Sequence, residues 1–568
     1  MLKLITAAVV ALFSMHTLQA SSGVKGNRAD YVIVGVGTAG SLLAKKLTDD
    51  KKTSVIALHS GKNLTGSFIV KYGRNTIFSV LSSLFGIPLN LNPASLGLPP
   101  ELQKELEDFI QLTNTTAKPL YETGLSTPQP NALDREILWA IGFPEGGGSS
   151  INAGAWARGT NQVYSQWEAI AGPSWSVNRI LNIYKKLEDY HGKTTNSSVR
   201  GHDGPLYVLQ DSPVSPLAKV FSQAIATATG YPLVLDYNDP NTPIGVSEQF
   251  QLTRRSQGNG GFYRVSGATA FLNENVVKSD GKGVDGRKLK VHFNSMGLRT
   301  IWQGNRAVGV EYMQEGKTKR VYANKGVIVC AGLRSSPFLL HSGVGPASLL
   351  NSLGIPVIYD NPEVGQGLTD QEMVPILFTS NPKDSVAGST NRAFSQISWL
   401  PVPGGDPTSR QIRIATIDII PGLTPALVDL IQPQSRGSVS INSANPLDPP
   451  VIDLGVLSNP NDLNTLVSAF QVYIKDINTQ LQATDPKYEL ILPPAEILDD
   501  PVLIQTYIMT VINSNMCFQS HCRIGAVVDS NGRVFGVQNL IVADNSINPA
   551  GMDGTPMASG YLVAANIA

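Results

Sequence analysis

Cysteine and charged residues are scarce in this sequence. Three cysteines among 568 residues exclude a scaffold held together by disulfides. Charged residues make up 15%, and 44 basic residues balance 44 acidic ones, which argues against a basic surface that binds nucleic acid. Hydrophobic residues reach 42%, enough to bury a large core, so disorder is excluded as the main state. The length suits about two to four domains.

Long hydrophobic runs are also missing beyond the start of the chain. No later stretch approaches the ~18 apolar residues of a membrane span, so we predict no transmembrane segment in the mature chain. The first twenty residues combine a basic start, a short apolar stretch and a small-residue cleavage site, which predicts a signal peptide over residues 1–20. An uncleaved anchor is the alternative. Sequons at Asn63, Asn114 and Asn196 agree with a secreted glycoprotein.

A strand, a glycine loop and a helical pattern follow one another near the start. Asp30–Val36 is an apolar, β-branched run, typical of a strand buried on both faces. It leads into a GxGxxG loop and then SLLAKKL, the order of a dinucleotide-binding fold. The glycines allow a tight turn and the close approach of a pyrophosphate, and the helix N-terminus binds its phosphates. The predicted loop contacts are Gly35, Gly37, Thr38, Ala39 and Gly40.

The residue predicted to contact the ribose differs from the usual acidic one. A second predicted strand at Ser54–Leu58 ends where this fingerprint places an acidic residue. The chain has His59 and Ser60 at that point. A histidine can bond a ribose hydroxyl, although less strongly than a carboxylate. We therefore predict nucleotide binding, with a dinucleotide fold that has lost its ligand as the alternative.

Two further motifs are rich in glycine and serine: Gly142–Asn152, GFPEGGGSSIN, and Ala331–Pro346. They resemble the two signatures of the glucose–methanol–choline (GMC) oxidoreductases, flavoproteins that oxidise alcohols with FAD. The second motif is one residue shorter than its signature. The residues just after Asn152 look closest to the mandelonitrile lyase-like branch. The resemblance implies an α/β fold, in which a FAD-binding Rossmann-like domain joins a substrate domain built on an antiparallel sheet plus helices.

The resemblance also implies FAD as the cofactor and a second group of contacts. A loop of glycine and serine lets the backbone pack against a flat flavin ring. Asp544 matches the family acid near the ribityl and phosphate groups. The contacts implied beyond the first loop are Gly147, Gly148, Ser149, Asn152, Ala153, Gly154, Leu298, Ala331, Asp544, Asn545, Pro556 and Met557.

The two domains are predicted to interleave along the chain. The FAD-binding domain is predicted to comprise residues 28–62, 130–210, 285–370 and 515–568. The lid and substrate domain is predicted to comprise residues 63–129, 211–284 and 371–514. Within the substrate domain, Gln411–Ile420 alternates in polarity, which predicts a strand with one face in water.

The segment that should hold the catalytic base departs from the family pattern. Family members take the hydroxyl proton with a histidine five residues before a cysteine, and Cys522 matches that cysteine. The base position is then Cys517, and the second catalytic position, six residues after a proline, is Thr555. A cysteine is a base only as the thiolate, and a threonine hydroxyl is essentially not a base at all. His521 lies nearby and could serve only if the loop were rebuilt.

Several interpretations of this segment stay open. Cys517 could act as a thiolate, or Cys517 and Cys522 could form a disulfide in an oxidising compartment. Cys517, His521 and Cys522 without a fourth ligand make a poor zinc site, so no metal is predicted. The substrate, the electron acceptor and the oligomeric state are not determined by the sequence.

Two functions follow from these observations. The first is a secreted FAD-dependent oxidoreductase with an atypical site, acting on the CH–OH group of a small-molecule alcohol. A hydroxynitrile lyase-like variant acting on a cyanohydrin-like substrate is its sub-case. The second is a catalytically weak or inactive GMC scaffold with a structural or binding role, such as an exported or particle-coat glycoprotein.

Overall fold

The computed structural model describes residues 26–62, 121–256, 262–387 and 394–568. The predicted signal peptide and the sequons at Asn63 and Asn114 lie outside these residues. Asn196 lies within them and is partly exposed. Within the described ranges, no helix has the length and apolarity needed to cross a membrane.

The strands are numbered along the described chain. They are β1 (Arg28–Val34), β2 (Val55–Leu58), β3 (Tyr121–Leu125), β4 (Leu138–Gly142), β5 (Glu188–His191), β6 (Leu206–Gln210), β7 (Gly245–Ser247), β8 (Gln251–Leu252), β9 (Arg254–Ser256), β10 (Phe262–Arg264), β11 (Leu289–His292), β12 (Ser295–Gln303), β13 (Arg306–Gln314), β14 (Lys317–Val329), β15 (Val344–Gly345), β16 (Tyr359–Asp360), β17 (Gln366–Leu368), β18 (Glu372–Thr379), β19 (Phe394–Leu400), β20 (Ile412–Ile417), β21 (Leu423–Leu430), β22 (Gly437–Ser440), β23 (Val451–Asp453), β24 (Leu490–Leu492), β25 (Asn513–Ser514) and β26 (Leu540–Val542).

The helices are numbered in the same way. They are α1 (Thr38–Thr48), α2 (Gly148–Ile151), α3 (Asn161–Ala171), α4 (Val177–Leu187), α5 (Pro216–Thr229), α6 (Gly267–Phe271), α7 (Ser335–His341), α8 (Ala347–Ser352), α9 (Pro460–Ala469), α10 (Lys475–Thr484), α11 (Pro501–Val511) and α12 (Pro556–Ile567). A π-helical turn at Phe470–Ile474 joins α9 to α10.

The first large sheet carries the glycine loop. Its strand order is β11-β2-β1-β14-β13-β12, and β26 also pairs with β14. The pairs β1–β2, β1–β14 and β14–β26 are parallel. Helix α1 follows β1, and α12 packs against α1. The Rossmann-like arrangement expected from the sequence is therefore present, with its strands drawn from distant parts of the chain.

The second large sheet is antiparallel. Its strand order is β24-β18-β21-β20-β19-β7, and β25 pairs with β18. One face packs on helices such as α5 through a second hydrophobic core that includes Ile412 and Ile414. The prediction that the strand within Gln411–Ile420 has a face in water is wrong, because every residue of β20 is buried. Its opposite face lines an internal cavity instead of bulk solvent.

These two sheets confirm the predicted α/β fold with an antiparallel second sheet. Residues 28–58, 289–329 and 540–542 supply the strands of the first sheet, and residues 245–247, 372–430 and 490–514 supply those of the second. The boundaries of the two domains between these strands stay a prediction.

Candidate active site

One cavity of about 420 Å³ extends from the glycine loop to the second sheet. Of the residues predicted to bind the cofactor, all except Gly40 line it. Gly40 lies beneath the loop, where a Cβ would come within 3.0 Å of the Gly35 carbonyl carbon. The sequence motifs therefore converge on one space, although their individual contacts to a cofactor stay predictions.

The glycine loops form a floor of bare backbone. Gly35 has a φ of +96°, and a Cβ there would lie 2.8 Å from the Cys330 carbonyl carbon. A Cβ on Gly147 would lie 2.9 Å from the Cα of Gly37. The two loops thus touch through their main chains. No side chain caps the N-terminus of α1, so its first N–H groups are available to an anion.

His59 lies at the end of β2 and lines the same cavity. Burial lowers the pKa of its imidazole to about 4, so the ring is neutral near pH 7. Its Nε2 atom is buried and has no hydrogen-bond partner within the described chain. An unpartnered buried polar atom is costly, and a ligand hydroxyl would satisfy it.

Asp544 joins the first sheet to the second signature. One carboxylate oxygen accepts hydrogen bonds from the Gly332 N–H at 2.9 Å and the Ser335 hydroxyl at 2.7 Å. The other accepts from the Ser546 N–H at 2.9 Å. Burial raises the pKa of this carboxyl. Asp544 therefore holds the cavity wall together as well as facing the cavity.

Helix α12 begins at the cavity wall. Thr555 precedes it, and its hydroxyl donates to the Ala155 carbonyl and accepts from the Ala157 N–H, both at 3.1 Å. These bonds fix the start of the helix, and Pro556 and Met557 line the cavity beside it. Thr555 thus faces the cavity as a structural anchor whose hydroxyl is already in use. The positive end of the helix dipole is directed at the same space.

Cys517 also lines the cavity and is 8% exposed. Its N–H donates to the Asp370 carboxylate at 2.6 Å, and its thiol donates to the Asn515 carbonyl at 3.4 Å. Burial, reinforced by the nearby Asp370 and Asp429 carboxylates, raises the pKa of the thiol well above its usual value. The structure therefore opposes a Cys517 thiolate at neutral pH, because its surroundings favour the protonated form.

His521 does not line the cavity and is fully buried. Its Nδ1 lies 2.8 Å from the Ser336 hydroxyl, and burial lowers the pKa of the imidazole to about 3. In this arrangement it cannot contact a substrate, so a role as base still requires the rebuilt loop. The structure contradicts the alternative of a disulfide, because Cys517 and Cys522 are both free. No metal-binding cluster occurs in the described ranges.

Comparison with known proteins settles the family. Models of the GMC oxidoreductase family match residues 29–373 and 433–564. The chain belongs to the GMC oxidoreductase family. An uncharacterized GMC-type oxidoreductase of Mycobacterium tuberculosis is 30% identical over 94% of this chain and 98% of the relative. An alcohol dehydrogenase [acceptor] of Pseudomonas putida is 28% identical over 95% of both chains.

The fold of this GMC oxidoreductase matches solved structures. A FAD-dependent oxidoreductase from Chaetomium thermophilum aligns with a TM-score of 0.77 at 23% identity, over 95% of this chain and 98% of that chain. Membership in the GMC oxidoreductase family supports FAD as the cofactor. The cavity fits it, because the glycine floor, the uncapped helix and the unpartnered His59 nitrogen suit a pyrophosphate, a flat ring and a ribose hydroxyl.

Sequence reasoning missed an ion pair on the second sheet of this GMC oxidoreductase. Arg413 lines the cavity, and its Nε donates to Asp429 at 2.6 Å. The pair joins neighbouring strands and is almost fully buried. Its signal was present as charged residues within two strongly apolar runs, IRIATI and LTPALVDL. Another missed pair, Arg334 with Glu122, ties the β3–β4 hairpin to the second signature.

Proposed function

We propose that this GMC oxidoreductase uses FAD to oxidise the CH–OH group of an alcohol at the end of the cavity formed by the second sheet. The observation that supports this proposal is that the cofactor region and the second sheet share one continuous cavity. One cavity connects the nucleotide-binding loop with an apolar wall that includes Ile397, Ala415 and Leu427. The similarity to the Pseudomonas putida alcohol dehydrogenase supports the reaction class. The protein is proposed to act after secretion, as the signal peptide and sequons predict.

FAD bound in the cavity would supply the acceptor for the hydride that leaves the alcohol carbon, and the hydroxyl proton would pass to a solvent water as the carbonyl product forms. The chain's own residues position this event. Thr555 fixes the start of α12 through Ala155 and Ala157. Cys517 lines the cavity wall with a protonated thiol, which does not accept a proton.

No imidazole supports proton removal in this proposal. The histidines that line the cavity are His59 and His341, at the ends of β2 and α7. Neither belongs to the second sheet or to the segment that contains Cys517. Of the residues outside the described ranges, 63–120, 257–261 and 388–393 contain no histidine, and His16 lies in the predicted signal peptide. We therefore propose an atypical site in which the hydroxyl proton passes to a solvent water and not to an imidazole.

The same observation favours a second candidate function. A site in which position 517 holds a cysteine and no base is compatible with a scaffold that FAD stabilises and that has little or no turnover. A hydroxynitrile lyase-like activity is less favoured, because it would also need a group that takes the hydroxyl proton.

One experiment separates the two. The protein is purified with FAD, made anaerobic and mixed with a panel of primary, secondary and aromatic alcohols, while the visible flavin absorbance is followed. Bleaching by an alcohol, with the matching aldehyde or ketone as product, supports the oxidoreductase. Dithionite serves as the positive control for reduction. A flavin that dithionite bleaches and no alcohol bleaches would favour the scaffold.

A further inference from the structure

We propose that Arg413 is a substrate anchor that binds a carboxylate, and that the cavity therefore accepts alcohols that carry an acid group on an apolar body. This inference rests on the proposed function for the oxidation step. The binding site itself stands on separate observations: strand register, the geometry of one ion pair and the surrounding side chains.

The register of the second sheet places a charged pair in the middle of an apolar face. Trp399 pairs with Arg413, Arg413 with Asp429, and Asp429 with Met373. The adjacent row on the same face pairs Ile397 with Ala415 and Ala415 with Leu427. Side chains alternate across a strand, so both rows face the cavity side. The Arg413–Asp429 pair thus lies beside an apolar row, on the face of the sheet that does not pack on the helices.

The geometry directs the guanidinium towards the cavity. Its Nε donates to Asp429 at 2.6 Å, and Nη1 reaches the Gln371 side chain only at 3.5 Å. Trp399 lies beneath the guanidinium, 5.6 Å from ring centroid to Cζ. Arg413 lines the cavity whereas Asp429 does not. Asp429 therefore holds Nε, which leaves the Nη edge for a ligand.

The energetics of a buried ion pair point to a ligand. Such pairs rarely stabilise a fold more than apolar side chains of similar size would, because desolvation offsets the attraction. Asp429 is fully buried, and one of its oxygens has no partner within the described chain. Burial also raises the pKa of this carboxyl. Asp429 is well placed to orient Arg413 and to tolerate a second carboxylate on the same guanidinium.

The chemistry of the surroundings defines the ligand class. A guanidinium presents a planar pair of donors that match both oxygens of a carboxylate. The side chains that share this part of the cavity are Phe250, Phe394, Ile397, Ala415 and Leu427. They would cover a hydrocarbon chain or ring. The substrate class that fits is an apolar hydroxy acid.

The test measures binding without turnover. FAD-loaded protein is titrated with hexanoate and with hexanamide, a neutral molecule of similar shape, while the flavin absorbance and fluorescence are recorded. We expect hexanoate to bind roughly tenfold or more tightly than hexanamide, the range of a charge-assisted hydrogen bond. Arg413→Met should remove the preference, and Arg413→Lys should keep part of it. Arg306→Met is the matched control, because it removes a cation at an exposed position on β13, outside the cavity, and should leave the preference unchanged.

Another variant keeps the test decisive if Arg413→Met fails to fold. Asp429→Asn preserves a hydrogen-bond acceptor for Arg413 but removes the competing charge, so hexanoate should bind more tightly. Equal binding of hexanoate and hexanamide by the parent protein would overturn the anchor, as would no change in Asp429→Asn.

The outcomes also separate this inference from the proposed function. If hexan-1-ol reduces the flavin but the protein binds hexanoate no more tightly than hexanamide, the oxidoreductase function stands and the carboxylate anchor is wrong. If hexanoate binding depends on Arg413 but neither ω-hydroxyhexanoate nor any alcohol reduces the flavin, the anchor stands and the oxidation fails. If both hold, ω-hydroxyhexanoate should show a lower KM than hexan-1-ol, and Arg413→Met should raise that KM.

Discussion

Replacing Gly35 with alanine tests whether the glycine loop is as tightly constrained as its geometry indicates. Gly35 has a φ of +96°, which L-residues rarely adopt. An added Cβ would lie 2.8 Å from the Cys330 carbonyl carbon and 3.1 Å from the Ala331 Cα. Both neighbours are backbone atoms of the adjoining segment after β14, so the clash cannot be relieved by rotating a side chain.

The expected cost combines two contributions. Left-handed backbone strain amounts to about 1–2 kcal/mol for a residue with a Cβ, and overpacking adds about 1–3 kcal/mol. The sum of about 2–5 kcal/mol is a large share of the ~5–15 kcal/mol that stabilises a typical domain. Gly35→Ala should therefore lower the melting temperature of the apoprotein and reduce its FAD content.

Gly148→Ala is the matched control in the facing loop. No atom lies within 4 Å of a Cβ built there, and the backbone is not left-handed. The apoprotein should melt as the parent does. Gly148 lines the cavity, so its new methyl group should weaken FAD binding alone. Thermal melting with and without FAD separates the two effects. A Gly35→Ala variant that melts and binds FAD like the parent would refute the reasoning.

Three further predictions concern titratable side chains. Iodoacetamide added to the denatured, unreduced protein should modify every cysteine; protection of Cys517 and Cys522 would reveal a disulfide after all. Glu372→Gln should gain stability over the parent as the pH rises from about 5 to 8, by at most about 1.4 kcal/mol per pH unit. The reason is that burial raises the pKa of Glu372 to about 8, so the unfolded chain ionises first. Parallel denaturant melts across that range should show a growing difference, and a constant difference would contradict the assignment. His59→Ala should weaken FAD binding roughly 2–10-fold, the loss of one neutral hydrogen bond, as measured by flavin fluorescence; unchanged affinity would exclude the Nε2 contact.

The sequence was informative where function depends on local backbone geometry. The GxGxxG loop requires a particular order of strand, turn and helix, and Gly35 and Gly37 lie where that order predicts. Arg413 and Asp429 could not be paired in this way, because their contact depends on the register between two antiparallel strands. The buried position of His521 was equally inaccessible, since it depends on Ser336 from a distant helix. The prediction of a solvent-exposed face on β20 was wrong for a related reason. Alternating polarity along a strand distinguishes its two faces but does not show what covers each of them.

The pairing of β14 has a consequence for how the protein is made. Val329 pairs with Val34 on one side and with Val542 on the other, so the central strand needs partners from opposite ends of the described chain. Contacts of such long sequence separation form late and slowly. A nascent chain would expose the edge of β14 that pairs with β26 until its last segments arrive, and exposed edges promote aggregation. The last step of assembly should therefore be the docking of β26 onto a sheet whose other strands are already available.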